Sequence, residues 1–233
     1  MLRNSRLSIA FCLAGLLSLL VMPASVLATT LTFFDFQNQP NLRAATPASL
    51  DPALSSAVYS SNRFNGLTSS SEYWSGWLGG QALPYIQFTT VEPIQLEELS
   101  MVSAHNDVAV NGVLHSIDFS AMLSPMDYTM HGTGVENSVA ALLGLNFQEL
   151  AVFSQTNTRS MTSFSLGSTL VGPGTYYLAF ALQDRNQVRA FTTQFVADDV
   201  SLSGTPVPEP TTIVLLGSGL IGLAGYRRRS RKS

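Results

Sequence analysis

Two adjacent carboxylates, Asp198 and Asp199, interrupt an otherwise apolar run, Phe195-Val196-Ala197-Asp198-Asp199-Val200-Ser201-Leu202. A carboxylate buried in such a run is costly unless it is paired or bound to a cation. Oxygen ligands on an acidic chain suit a hard cation such as Ca²⁺. The simpler alternative is that the acids point to solvent or cap a loop. Strict alternation puts Val196, Asp198, Val200 and Leu202 on the more apolar row, expected to be the core side, and Asp199 on the outer row. A bulge at the acid pair would change that parity.

The histidines are the next candidates. His105, Asn106 and Asp107 cluster after an apolar stretch, His115 and Asp118 straddle the start of another, and His131 precedes a glycine-rich turn. Three histidines could hold zinc, and His105 with Asp107 could supply a general base for a secreted hydrolase. None sits at a recognised zinc-protease spacing. No serine lies in a nucleophile elbow, since Leu166-Gly167-Ser168-Thr169-Leu170 lacks the second glycine. Scattered loop histidines are the simpler reading. Tyr73, Trp74 and Trp77 form an aromatic group in Glu72-Tyr73-Trp74-Ser75-Gly76-Trp77-Leu78-Gly79-Gly80. Large flat rings of this kind stack on sugars, which makes these three the candidate carbohydrate contacts; ordinary core packing would use them equally well.

The two ends of the chain have a different character. Arg3 and Arg6 precede a nearly uninterrupted apolar run, Leu7 to Val21, which Pro23 ends. Val26-Leu27-Ala28 then fits the small-x-small rule of signal peptidase, so residues 1–28 read as a signal peptide cleaved after Ala28, with Ala24 a weaker site. Near the other end, Pro206-Val207-Pro208-Glu209-Pro210 is expected to be rigid and extended, because each proline fixes its own φ and disfavours helix in the residue before it. Thr211 to Tyr226 is uncharged, and residues 227–233 are basic through Arg227, Arg228, Arg229, Arg231 and Lys232. As a helix, residues 211–226 would cover roughly 24 Å, a little under a bilayer core, with Tyr226 and Arg227 able to reach the interface. The basic cluster would stop transfer and stay cytoplasmic, leaving everything before Pro208 outside.

In these residues the sequence resembles a known family. Val207-Pro208-Glu209-Pro210, then Leu215-Leu216-Gly217-Ser218-Gly219-Leu220-Ile221-Gly222-Leu223, then Tyr226 and the arginines, look like the PEP-CTERM sorting domain, also labelled an ice-binding-protein C-terminal domain. The resemblance is confined to residues 206–233. It implies recognition of Pro208, Glu209 and Pro210 by an exosortase, a membrane-embedded cysteine transpeptidase, and release or transfer of the preceding domain to the cell surface or matrix.

Between the ends lie 177 residues, 29–205, enough for one domain with a packed core. The chain's net charge of −3 conceals an asymmetry. Residues 29–205 keep five arginines, no lysine and fourteen of the fifteen acids, a net charge of −9. That excludes nucleic acid as a partner, since it requires clustered positive charge. The one cysteine, Cys12, lies in the signal peptide, so the domain has no disulfide, thiolate metal site or cysteine nucleophile.

The pattern within the domain is one of short strands. Leu31–Phe36, Pro84–Val91, Leu96–Val102, Ser116–Leu123, Met161–Leu166, Thr175–Leu182 and Phe195–Leu202 read as strands, and residues 37–56 as a long loop. Ile117, Phe119 and Ala121 should share one face, as should Tyr176, Leu178 and Phe180. Ser138–Leu145 is the one helical candidate, weakened by Gly144. The expected fold is all-β, a jelly-roll-like β-sandwich. The Asp198-Asp199 strand is also similar to the last strand of galactose-binding-like jelly rolls, which pairs near a first strand, here Thr32-Phe33-Phe34-Asp35-Phe36. That resemblance implies a structural Ca²⁺ held by Asp35, Asp198, Asp199 and backbone carbonyls. The expected function is a non-catalytic surface or extracellular-matrix protein that signal peptidase and exosortase process at the membrane. Binding of exopolysaccharide comes second, and hydrolysis third.

Overall fold

Apolar residues at every second position pair into two antiparallel sheets. The computed structural model describes residues 27–36, 44–61, 74–77, 83–105, 116–125, 138–156, 158–184, 194–207 and 216–221. In chain order the elements are β1 (Thr29–Phe34), β2 (Ala44–Ala45), β3 (Ser49–Leu50), β4 (Leu54–Ser61), β5 (Trp74–Trp77), β6 (Pro84–Thr90), β7 (Ile94–His105), β8 (Ile117–Ser124), α1 (Val139–Gly144), β9 (Gln148–Gln155), β10 (Ser160–Val171), β11 (Gly174–Leu182) and β12 (Gln194–Pro206). One sheet runs β10-β7-β12-β1-β3, with β5 also paired to β12; the other runs β2-β4-β6-β11-β8-β9.

The sheets face each other across a shared core, which makes the fold a β-sandwich. Leu31, Phe34, Leu99, Met101 and Leu202 of the first sheet pack with Tyr59, Phe88, Phe119, Leu178 and Phe180 of the second. Tyr59 lies at the centre, with ring centroids 5.9 Å from Phe34, 5.1 Å from Phe36 and 6.3 Å from Phe180. Phe153 on β9 stacks at 4.5 Å on Phe164 of β10 and joins the two sheets along one edge.

Ile117, Phe119 and Ala121 share the core row of β8, and Leu178 and Phe180 that of β11, with Tyr176 packed against it, as the alternation predicts. Alternation does not foresee that the opposite rows are buried too. Met122, Tyr177, Ala179 and Ala181 pack with Val139 and Leu142 of α1 and with Leu83, Tyr85 and Phe147. The helix forms where expected, with the Ser138 side chain accepting from the Ala141 N–H at 3.4 Å as its N-cap.

The 37–56 stretch is not one loop, because β2, β3 and the start of β4 fall inside it. They are short pairings without a periodic apolar signal. β4 and β9 are both strands that the sequence pattern did not single out. The last strand continues to Pro206, one residue past the expected domain limit. Proline is tolerated there because it ends the strand. Leu27 and Ala28 are exposed ahead of β1, and residues 1–26 lie outside the described residues. Among the described residues no helix is long and apolar enough to cross a membrane. Of residues 211–226, only 216–221 are described, and they are helical.

Candidate functional sites: an acidic bulge and a sorting segment

The acid pair marks a break in the register of β12. Against β7, Asp198 lies opposite Val102 and Ser201 opposite Ser100, so β12 carries one extra residue between them. Asp199 absorbs it with φ of 48°, the left-handed region that aspartate enters more readily than most residues. Ala197 and Val200, three residues apart, consequently both pack in the core. This corrects the parity expected from strict alternation. Ala197 takes the core position, and Asp198 sits on the opposite row.

Asp198 is nevertheless only 8% exposed. Its carboxylate accepts from Arg159 Nη2 at 3.1 Å and from the Asp199 N–H at 2.9 Å. Asp35, which follows β1, brings a third carboxylate, and ligand oxygens of Asp35, Asp198 and Asp199 all lie within 4.8 Å of one another. Burial pushes the Asp198 carboxyl above the usual carboxylate range, and the charge of Asp199 adds to the rise. The Asp199 N–H and the Arg159 guanidinium oppose it, and Asp35 raises it further.

The cluster occupies a seam. β1 ends with Phe34 opposite Val200, and β5 begins with Trp74 opposite Ala197. Asp198 and Asp199 lie opposite the interval between these two strands, where β12 has no paired neighbour on that side among the described residues. The three acids predicted from the sequence are therefore brought together. Arg159, 39 residues from Asp198, was missed, because no motif connects them.

The aromatic candidates fall into different registers. Trp74 pairs with Ala197 and Trp77 with Gln194, at the two ends of β5. Tyr73 lies outside the described residues. His105 ends β7 opposite Phe195. Asn106, Asp107, His115 and His131 lie outside the described residues. Asp118 accepts from the Ser154 hydroxyl at 2.5 Å, a bond between neighbouring strands.

At the other end of β12 the strand is held closely. Gly204 lies where a Cβ would come within 2.5 Å of the Gln95 carbonyl oxygen. The Thr205 hydroxyl donates to Glu97 at 2.7 Å, Pro206 pairs with Ile94, and the Val207 N–H donates to the Pro93 carbonyl at 2.8 Å. Val207, the last described residue of this segment, is thus still hydrogen-bonded to the sandwich. Pro208, Glu209, Pro210 and the basic residues Arg227, Arg228, Arg229, Arg231 and Lys232 lie outside the described residues.

Residues 206–229 match the family model of the PEP-CTERM protein-sorting motif. The chain carries a PEP-CTERM sorting motif. The motif implies an exported protein, processed by an exosortase. The match begins at Pro206, so the PEP-CTERM segment starts on the last residue of β12. No curated protein matches the sequence. Among solved structures, the chain is similar to the C-terminal domain of a chitobiase from Bacteroides fragilis, with 10% identity, 80% of this chain and 99% of that one covered, and a TM-score of 0.31. It is also similar to a structure described as GH31 CBM32-2 bound to GalNAc, with 11% identity, 76% and 95% covered, and a TM-score of 0.27.

Proposed function

We propose that the chain is a surface or extracellular-matrix protein, delivered by signal-peptide cleavage after Ala28 and exosortase processing at Pro208-Glu209-Pro210, whose jelly-roll-like sandwich is non-catalytic. The observation that carries this reading is the sorting motif over residues 206–229 joined directly to a folded strand. In it, residues 211–226 hold the chain in the membrane until release, and the basic cluster keeps the tail cytoplasmic. The test is expression with and without a functional exosortase, followed by mass spectrometry of the secreted and membrane fractions. Secreted protein without residues 211–233, seen only with the enzyme, supports the reading. Secreted protein that keeps those residues overturns it.

Within this reading, Asp35, Asp198 and Asp199 are the residues we assign to a structural Ca²⁺. The chemistry fits a hard cation, since three carboxylates converge at a site where burial already disfavours the charge of Asp198. The ion would stabilise the seam between β1 and β5. Binding of exopolysaccharide is the second reading. In it, the contacts are Tyr73, Trp74 and Trp77, the large flat rings that the sequence places together.

A further inference from the structure

The two junctions at which this chain would be processed emerge at one end of the sandwich. Thr29, the first residue after the signal junction, pairs with Gly204, and Thr30 with Ser203. Ala28 and Thr29 are exposed. Two residues beyond Gly204, Pro206 pairs with Ile94, and Val207 is bonded to Pro93. The same end is built by the Asp51–Ala53 turn, since the Val91 N–H donates to the Ala53 carbonyl at 3.0 Å. The turn after β10 completes it, with the Thr90 hydroxyl donating to the Gly172 carbonyl at 2.6 Å. The opposite end carries the start of β12 at Gln194, the end of β7 at His105 and the β9–β10 connection.

Chain reach limits how far this end can lie from a bilayer. From Val207 to Thr211 there are four Cα steps, which span at most about 14 Å at full extension. The headgroup layer takes up roughly 5–7 Å of that on one leaflet. With the apolar run inserted, the sandwich has no slack in which to turn its other end to the membrane. The surface at this end suits the interface through two apolar side chains, Val91 at 55% and Leu170 at 65% exposure. Its described charges are acidic, with Glu92 and Asp51 beside the turns, so the tether and not charge attraction brings it to the lipid.

We propose that the end formed by residues 51–53, 91–93, 170–174 and 204–207 faces the lipid headgroups while the chain is anchored, with the His105 and Gln194 end directed away. This rests on the sorting and anchoring reading above. The consequence is that any ligand contact made by the Trp77 end is presented outward before release as well as after it.

The test uses the uncleaved chain, purified from a host without exosortase and reconstituted into phosphatidylcholine vesicles with nitroxide-labelled headgroups. Removal of Cys12 with the signal peptide lets single cysteines be placed at Val91→Cys, Leu170→Cys and Thr156→Cys, each at an exposed position. Fluorophores at 91 and 170 should be quenched several-fold more than at 156. Insertion of about twenty Gly/Ser residues between Val207 and Pro208 adds roughly 25 Å of reach and should abolish the difference. Equal quenching at all three positions in the uninserted chain, with the protein floating with the vesicles, overturns the orientation. Failure of every variant to float with vesicles overturns the anchoring reading and the orientation with it.

Discussion

Thr29 and Gly204 lie directly opposite each other across β1 and β12, and the Thr29 hydroxyl donates to the Gly204 carbonyl at 3.4 Å. This pairing joins the start of the domain to its finish, 175 residues apart in sequence. Both strands have a register shift here, between Thr30 and Thr32 and between Ser203 and Gly204, and the close approach of Gly204 to β7 accommodates the second.

Gly204→Ala should therefore destabilise the sandwich. The new methyl meets the backbone oxygen of Gln95, which cannot swing aside as a side chain would, and Leu31 Cδ1 stands at 2.9 Å. Overpacking of this kind costs about 1–3 kcal/mol. Urea unfolding of the released domain would show it as a lower midpoint at unchanged slope; an unchanged midpoint would refute the close contact.

Replacing Pro208, Glu209 and Pro210 together with alanine should block release and leave stability unaltered. All three lie beyond Pro206, the last residue of β12, and beyond Val207, which is bonded to Pro93. Cell fractionation should find the variant in the membrane, and thermal melting should match the parent. Normal secretion of the variant would contradict the assignment of the sorting site.

Calcium should raise the melting temperature of the domain, and EDTA should remove the gain. A site filled at 100 times its dissociation constant adds roughly 2.7 kcal/mol. In a domain of this length that is about 5–10 °C. Asp198→Asn should lose most of the response. Calorimetry with a shift below about one degree for the parent protein would exclude a stabilising Ca²⁺ site.

In EDTA, Asp198 should make stability depend on pH in the direction opposite to a salt-bridged surface carboxylate. Its folded pKa is raised, mainly by burial and then by Asp199, so the folded state holds the proton more tightly than the unfolded chain. The contribution is fully present below the unfolded value, about 3.9, and is lost as pH rises through the folded value. The melting temperature of the parent relative to Asp198→Asn should accordingly increase as pH falls from neutral towards about 4. A difference independent of pH would show that the site is better solvated than its burial indicates.

The sequence by itself determined the class of the domain, most of its long strands, the short helix over Val139–Gly144 and the sorting segment. The strands are written in local alternation, and the sorting segment in prolines followed by an apolar run and arginines. β4 escaped because its serines and alanines carry little periodic signal, β9 because it is an edge strand with mixed polar residues, and β2 and β3 because pairing two residues leaves none. Asp35, Asp198 and Asp199 were legible as unusual acids in apolar strands, but only the tertiary structure decided their geometry. One inserted residue at Asp199 moves Asp198 off the core row, and that insertion exists only relative to the partner strand β7. Arg159 reaches Asp198 from just before β10, the next strand but one from β12, a contact that no local pattern encodes. The meeting of Thr29 with Gly204 is likewise a property of the closed sandwich, because strand pairing across 175 residues is fixed by which apolar rows must be buried together.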